Sequence, residues 1–362
     1  MQEQERNGHV LITGGAGFIG TNLGLRLLSS GRSVVVLDNL SRDGVDKNAR
    51  TLAKFGGRQI EIIHGDCRDR ELVSELVAGA RAVYHLAAQV AVTTSLSDPA
   101  LDFDTNLRGT FNVLEALRAQ KQRPPLLFTS TNKVYGALSA VPLEAVDGRY
   151  RPVDAALRAR GVGEDAQLEF CSPYGCSKGA ADQYVLDYAR SYGLPAVVFR
   201  MSCIYGPHQC GNEDQGWVAH FLLRALERRP ITIYGDGCQV RDILFVDDLV
   251  DAMQLAVQRA DTLEQRVFNI GGGVENCVSL LDVIEAIRSL TGERLELGFE
   301  AARVGDQRYY ASDIGRFRLL TGWAPRIGVE EGLGRLKAWL AQRLAPRQLH
   351  ERRRNVSAGE PV

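Results

Sequence analysis

The sequence predicts an α/β fold, a doubly wound parallel sheet followed by a smaller, mostly C-terminal lobe. Three observations carry this. Short β-branched runs alternate with helical patterns over the first two hundred residues, the runs are apolar nearly throughout, and a glycine-rich turn joins the first run to the first helix. Continuous apolar strands separated by amphipathic helices belong to a parallel sheet covered on both faces.

In chain order, "HVLIT" (9–13), "SVVVL" (33–37), "IEIIH" (60–64), "AVYHLA" (82–87), "LLFTS" (126–130) and "AVVFR" (196–200) read as strands. Ile19, Leu23 and Leu27 repeat at helical spacing and stop at Gly31. Phe103, Leu107, Phe111 and Leu114 predict one buried face of a helix beginning near Pro99. Beyond Arg200 the rhythm loosens, and 203–216 and 234–242, rich in Gly, Cys, Asp and Gln, read as polar loops. "VFNIG" (267–271) is a further strand, and 279–290 and 329–345 are helical. The division expected is a first domain over 1–200 with 243–271 returning to it, a lobe from 201–242 and 272–346, and a disordered tail over 347–362. That tail holds a short basic run without apolar periodicity.

Composition limits the partners. With 362 residues the chain suits about two domains. Lys plus Arg is 43 against Asp plus Glu 44, so no global field recruits nucleic acid or an anionic membrane. No stretch approaches the roughly 18 apolar residues of a membrane helix, and Met1–Gly8 lacks the apolar core of a signal peptide. Seven scattered cysteines without a C-x-x-C pair suggest reduced thiols, no metal and a cytoplasmic setting. The histidines, His208 and His220 included, have no partner set for a metal, and Cys176 reads as a small packing residue.

"LITGGAGFIGTNL" places Gly14, Gly17 and Gly20 between the first strand and the first helix. Such glycines let backbone approach a pyrophosphate, which the helix N-terminus then faces with free N–H groups. Asp38 ends the second strand about 20 residues on, where a carboxylate accepts from a ribose 2′-OH. It would repel a 2′-phosphate, which favours NAD over NADP, although Arg42 lies nearby in sequence. Asp66 ends the third strand and suits either the adenine amino group or a helix cap.

"SPYGCSKGAADQYVLDYA" (172–189) sets Tyr174 and Lys178 four apart on one helix face, and Tyr174 is the one tyrosine of 11 with a lysine at that spacing. A phenol ordinarily titrates near 10, so a neighbouring ammonium would help it act as a base. Thr131 ends the fifth strand, at the sheet edge where ligands bind.

The glycine loop, Asp38, "HLAAQ" (85–89), "TNLRGTFNVLEA" (105–116), Thr131 and Tyr174-x-x-x-Lys178 together resemble the extended short-chain dehydrogenase/reductase superfamily in its nucleotide-sugar branch, over about residues 9–345. The resemblance implies a Rossmann domain with tightly bound NAD that is not consumed, and Thr131, Tyr174 and Lys178 as catalytic residues. It also implies a cofactor set of Gly14, Gly17, Phe18, Ile19, Gly20, Asp38, Asn39, Asp66, Leu86, Ala87, Ala88, Asn106, Tyr174 and Lys178. For Asn106 an amide that merely satisfies backbone is the alternative.

Dehydratases of this branch place an Asp-Glu pair after the threonine, for acid and base steps. Here Asn132 and Lys133 follow, in "STNKVYG", which argues against elimination and for hydride removal and return. That stretch, "QVAVTTS" (89–95), "DQGWVAHF" (214–221) and the long insert at roughly 137–172 are similar to enzymes that invert C2 of a CDP-linked hexose. The resemblance implies a nucleotide-diphosphate sugar as substrate. Arg241 and Arg303 would hold its diphosphate, Asp306 its ribose or one of those arginines, and Gln89, Thr93, Thr131, Asn132, Ser202, Gln215 and Trp217 the sugar. For Trp217, a core position is the alternative. The resemblance also implies a homodimer or homotetramer through helices near 99–120 and 173–192. Other readings stay open: a UDP-hexose or UDP-hexuronate 4-epimerase, a net reductase, and an inactive NAD-binding regulatory protein.

Overall fold

The computed structural model describes residues 8–212, 215–303 and 305–357. The polar segment up to residue 7 and residues 358–362 of the expected tail lie outside the described residues.

The chain begins β1 (His9–Thr13), α1 (Phe18–Ser29), β2 (Val34–Asp38), α2 (Val45–Gly56), β3 (Ile60–His64), α3 (Arg70–Ala78) and β4 (Ala80–His85). It continues α4 (Val92–Ser97), α5 (Pro99–Phe103), a π turn over 104–108, α6 (Gly109–Arg118), β5 (Leu126–Thr131) and a 3-10 turn over 132–135. The insert supplies β6 (Leu143–Val146), β7 (Arg149–Pro152) and α7 (Ala155–Arg160), before α8 (Pro173–Tyr192) and β8 (Ala196–Met201). Then come β9 (Cys203–Tyr205), α9 (Trp217–Leu226), β10 (Ile231–Tyr234), β11 (Val240–Phe245), α10 (Val246–Gln258) and β12 (Val267–Ile270). Last are β13 (Cys277–Ser279), α11 (Leu280–Thr291), β14 (Leu297–Glu300), β15 (Tyr309–Tyr310), α12 (Gly315–Thr321) and α13 (Val329–Ser357).

Seven strands, each one of the apolar runs expected from sequence, form a parallel sheet in the order β12-β8-β5-β4-β1-β2-β3. Side chains alternate across it: Val10 and Ile12 enter one buried cluster, Leu11 the other. Both faces are therefore core over the inner strands, which is why these are apolar nearly throughout, while edge strand β3 keeps Glu61 and His64 exposed. The strand order reverses between β1 and β4, so their C-terminal ends open a crevice with β5 alongside.

Three expectations change. The π turn inserts an extra residue into the helix beginning at Pro99, so Phe103 and Phe111 are exposed while Leu114 is fully buried. The stretches expected as polar loops contain β9 and parts of β10 and β11. β11 is the hub of a second, four-stranded sheet with β9, β13 and β15, because its flanking apolar residues outweigh the polar ones between them. Residues 347–357 of the expected tail continue α13, a stretch rich in the helix formers Arg, Gln, Glu and Leu.

The insert ties the two parts together. Val162 N–H donates to Ala311 C=O (2.7 Å), Asp313 N–H donates to Val162 C=O (2.9 Å), and Asn269 N–H donates to Glu164 Oε1 (2.9 Å). Beneath it lies a buried ion pair. Arg200 of β8 donates from Nε and Nη2 to the two Asp182 oxygens of α8 at 2.9 and 3.0 Å, with side chains only 3% and 1% exposed. Breaking such a pair leaves a charge with neither water nor partner. Asp182→Ala is therefore expected to lower the unfolding free energy by about 3–5 kcal/mol, read as a fall in urea midpoint; a loss near zero would remove the pair from any structural role.

Candidate active site

The crevice edge begins at the glycine loop. Gly14 has φ +68°, and a Cβ there would lie 2.7 Å from Ala87 N; on Gly20 it would lie 2.5 Å from Gly15 Cα. Only glycine fits either place. Gly17 caps α1 without a side-chain hydrogen bond, so the N–H groups of the first turn, Phe18 and Ile19 among them, are left to an anion. Asp38 closes the other side: Oδ2 accepts from Ala16 N–H (3.0 Å) and Oδ1 from Leu40 N–H (2.9 Å). Burial raises its pKa, against those hydrogen bonds and Arg42. Leu86 N–H donates to Thr13 C=O (3.0 Å) and Ala87 N–H to Thr13 Oγ1 (3.3 Å), holding Leu86, Ala87 and Ala88 beside Gly14. This cradle fits the pyrophosphate and ribose of a dinucleotide.

Asp66 and Asn39 meet at the rim, where Asn39 Nδ2 donates to Asp66 Oδ2 (2.9 Å). Burial raises the Asp66 pKa, but hydrogen bonds from Arg68 and Asn39 prevail and bring it to about 2. The cap of α3 is Asp69, not Asp66.

Thr131, Tyr174 and Lys178 are all buried. Ser172 and Pro173 start α8 one residue before Tyr174, with Ser172 Oγ accepting from Gly175 N–H (3.1 Å), so the phenol sits in the first turn. Burial pushes Tyr174 up to about 12, while the Thr131 hydroxyl, hydrogen-bonded to it, and the Arg42 charge pull down and Asp102 pushes up. The Lys178 ammonium rests over the Phe128 ring, 4.2 Å from its centroid. Burial lowers its pKa to about 7, opposed by Asp182 and Asp102. Arg42 thus adds a downward pull on the phenol besides any from Lys178, one helical turn along α8.

Asn106 shows the backbone-satisfying role weighed for it, and joins two elements besides. Its Oδ1 accepts from Gln89 N–H (2.9 Å), and its Nδ2 donates to Gln89 C=O (3.0 Å), Asp102 Oδ1 (3.1 Å) and Ser177 Oγ (3.0 Å). It satisfies backbone and ties the loop after β4 to α8. His85 works likewise: its ring hydrogen-bonds Thr13 Oγ1 (2.6 Å) and Thr110 Oγ1 (3.0 Å). Burial, then Lys178, lowers its pKa to about 3, so it is neutral.

A charged cluster lies beyond Thr131. Asp306 Oδ1 accepts from Arg241 Nη2 (2.7 Å) and Lys133 Nζ (3.3 Å). Burial raises the Asp306 pKa, but these two cations outweigh it and the net shift is downward; burial and Arg241 lower that of Lys133. Arg303 stacks on Tyr234, 4.0 Å above the ring. Asn132 faces Gln307, whose Nε2 donates to Gly136 C=O (2.7 Å) and, at 3.4 Å, to Asn132 C=O. Trp217 stands by the cluster, hydrogen-bonded to Cys203, whose thiol feels both Arg241 and Lys133.

The other expected sugar contacts have hydrogen-bond partners of their own or lie exposed. Ser202 donates to Asp242, both backbone (2.9 Å) and carboxylate. Gln89 spends its amide on Ala91, Thr93 is exposed on α4, and Gln215 accepts from Arg42 at 2.5 Å. Cys176, expected to pack, is exposed because it lies on the outer side of the first turn of α8. Gln307, Arg42 and the pairing of Lys133 with Asp306 carry no signal in the sequence, because no local spacing links positions more than about 130 residues apart. Among the described residues no three His, Cys, Asp or Glu gather as a metal site, and no helix is long and apolar enough to cross a membrane.

A hydrogen bond to a phenolate holds its pKa down, so Thr131→Val should raise that of Tyr174 and leave less base at a given pH. The acidic limb of the pH–rate profile is expected to move up by about one pH unit or more; a fall in rate with an unmoved limb would mean that Thr131 acts on substrate alone.

The profile of the NAD dependent epimerase/dehydratase family matches residues 10–271. The chain is 40% identical over 337 residues to CDP-paratose 2-epimerase of Salmonella typhi, covering 91% of this chain and 98% of that protein. Among solved structures it resembles UDP-glucose 4-epimerase of Thermotoga maritima with UDP-glucose (TM-score 0.79, 30% identity, 93% of this chain and 99% of that one). It also resembles UDP-glucuronic acid 4-epimerase of Bacillus cereus with UDP-glucuronic acid and NAD (TM-score 0.77, 27% identity, 92% and 99%). With the glycine cradle, Asp38 and a matched length of this extent, the chain belongs to the NAD dependent epimerase/dehydratase family.

Proposed function

We propose that the chain inverts C2 of a CDP-linked hexose, interconverting CDP-paratose and CDP-tyvelose through a 2-keto sugar. The observation that carries this is the near full-length similarity to a CDP-paratose 2-epimerase at 40% identity. It is supported by a buried Thr131, Tyr174 and Lys178 set followed by Asn132 and Lys133 rather than two carboxylates.

Gly14, Gly17, Gly20, Asp38, Asn39, Asp66, Leu86–Ala88 and Asn106 would hold NAD or support its pocket, with Lys178 toward the nicotinamide ribose. Bound there, NAD supplies a reversible acceptor for the hydrogen removed from the sugar carbon. Tyr174, as phenolate, takes the hydroxyl proton at C2 and later returns it, and Thr131 shares a hydrogen bond with the same oxygen. Burial sets the phenol well above neutral, so the base depends on the pull of Thr131, Arg42 and a cationic cofactor ring. Arg241 and Arg303 bind the diphosphate, whose planar-fork contacts suit phosphate oxygens. A firm diphosphate and a lightly held sugar let the keto intermediate turn without leaving, which agrees with Gln89, Ser202 and Gln215 being engaged elsewhere.

A homodimer or homotetramer through α5, α6 and α8 belongs to the same proposal. Phe103, Phe111, Tyr184 and Tyr192 are exposed there, with Phe111 edge-on to Tyr184 at 6.2 Å, a strip of a kind that usually meets a partner.

Proton NMR of CDP-paratose with the purified protein in D2O, without added cofactor, is expected to show inversion at C2 with no deuterium incorporated there. Tyr174→Phe should abolish the signal change while NAD content is kept. Deuterium at C2 would replace this mechanism with proton abstraction, and inversion at C4 of a UDP-sugar alone would move the chain to the 4-epimerases.

A further inference from the structure

Asp306 Oδ1 is shared by two cations, Arg241 at 2.7 Å and Lys133 at 3.3 Å, so the triad keeps an excess positive charge. Arg303 lies on the same turn, its C=O accepting from Asp306 N–H at 3.2 Å. Lys133 differs from the two arginines in where its backbone is fixed. Its N–H donates to Thr131 Oγ1 (3.2 Å), in the turn that directly follows β5. The lysine stem therefore runs from the hydroxyl beside Tyr174 to the cationic cluster. Its side chain is 25% exposed, and its ammonium meets Asp306 at the edge of that cluster.

We infer that Lys133 is a substrate-positioning residue: it binds the sugar-linked phosphate of the nucleoside diphosphate and thereby seats C2, rather than C4, against Thr131 and Tyr174. This rests on the proposed function. In a nucleotide hexose the phosphate hangs on C1. C2 is the direct neighbour of that carbon, whereas C4 lies across the ring. An enzyme reacting at C2 must therefore hold the phosphate close to its base, and one reacting at C4 must hold it further off. A cation rooted two positions from Thr131 meets the first requirement, and arginines rooted in the C-terminal lobe alone suit the second. Lysine also suits a moving ligand, because an ammonium on a flexible stem can follow a phosphate oxygen while the sugar turns. Asp306 engages both cations, and an arriving diphosphate competes with one carboxylate for them.

The test uses CMP and CDP, with UMP and UDP alongside, titrated calorimetrically into the NAD-loaded wild type, Lys133→Met and Lys133→Arg. The distal phosphate of CDP stands for the sugar-linked one. Lys133→Met is expected to weaken CDP about tenfold or more, the size of a lost charge-assisted hydrogen bond, and CMP less than about twofold; Lys133→Arg should recover most of the loss. Equal losses for both nucleotides, or none, overturn the assignment. If Lys133→Met does not fold, Lys133→Gln, which keeps a polar stem without the charge, is held to the same pattern. CDP is weakened about tenfold and CMP less than about twofold, with the difference narrowing at high salt, and equal losses or none overturn the inference. Binding of this pattern with inversion only at C4 overturns the seating of C2. Failure of every nucleotide to bind instead overturns the proposed function itself.

Discussion

Arg200 carries a permanent charge into the wall of the main sheet, and much of the active crevice is arranged around keeping it satisfied. Asp182 meets it with both oxygens. A third donor, Nη1, reaches the Tyr135 hydroxyl at 3.1 Å, Tyr135 donates to Asn269 Oδ1 at 2.8 Å, and Asn269 Nδ2 donates to Val162 C=O at 2.8 Å. One chain of polar contacts thus links α8, β8, the turn after β5, β12 and the insert. In a dry interior none of its members can lose a partner cheaply, so each helps fix the others. Asp182 lies on the same face of α8 as Lys178 and Tyr174, at successive four-residue steps. The pair therefore sets the rotation of that helix against the sheet, and with it where the phenol and ammonium stand.

Around this frame the chemistry divides by polarity. On the cofactor side, charge is supplied mostly by backbone: N–H groups at the start of α1 and glycines that admit an anion closely. On the side proposed for the substrate it is supplied by side chains, Lys133 and Arg241 against Asp306, with Arg303 stacked on Tyr234. Between them lies a phenol whose burial makes it a poor base until the surroundings turn positive. In the proposed mechanism Thr131 and Arg42 are among the protein's contributions to lowering its pKa.

The fold was largely legible in the sequence. The inner strands of the main sheet announced themselves as apolar runs, because a strand buried on both faces has no polar alternation to hide it. Edge strand β3 was read from its three isoleucines despite exposed Glu61 and His64. Gly14, Gly17, Gly20 and Asp38 were equally plain, since the contacts that require them are local to one strand–turn–helix unit. The helix after Pro99 was less so: its apolar spacing is real, yet the π turn redirects Phe103 and Phe111 outward, and nothing in four-residue periodicity signals an added residue.

The sequence by itself determined the alternation of strand and helix, the glycine cradle, and the chemical types of Thr131, Tyr174 and Lys178. Only the tertiary structure decided which charges act together. It brought Arg42 within influence of Tyr174 and gave Lys133 to Asp306. It locked Asn132 against Gln307 and withdrew Ser202 and Gln215 to other partners. The reason is one of range. Helix faces, strand faces and glycine turns follow from neighbours a few residues apart, whereas ion pairs and buried hydrogen bonds form between residues that meet only after the sheet has closed.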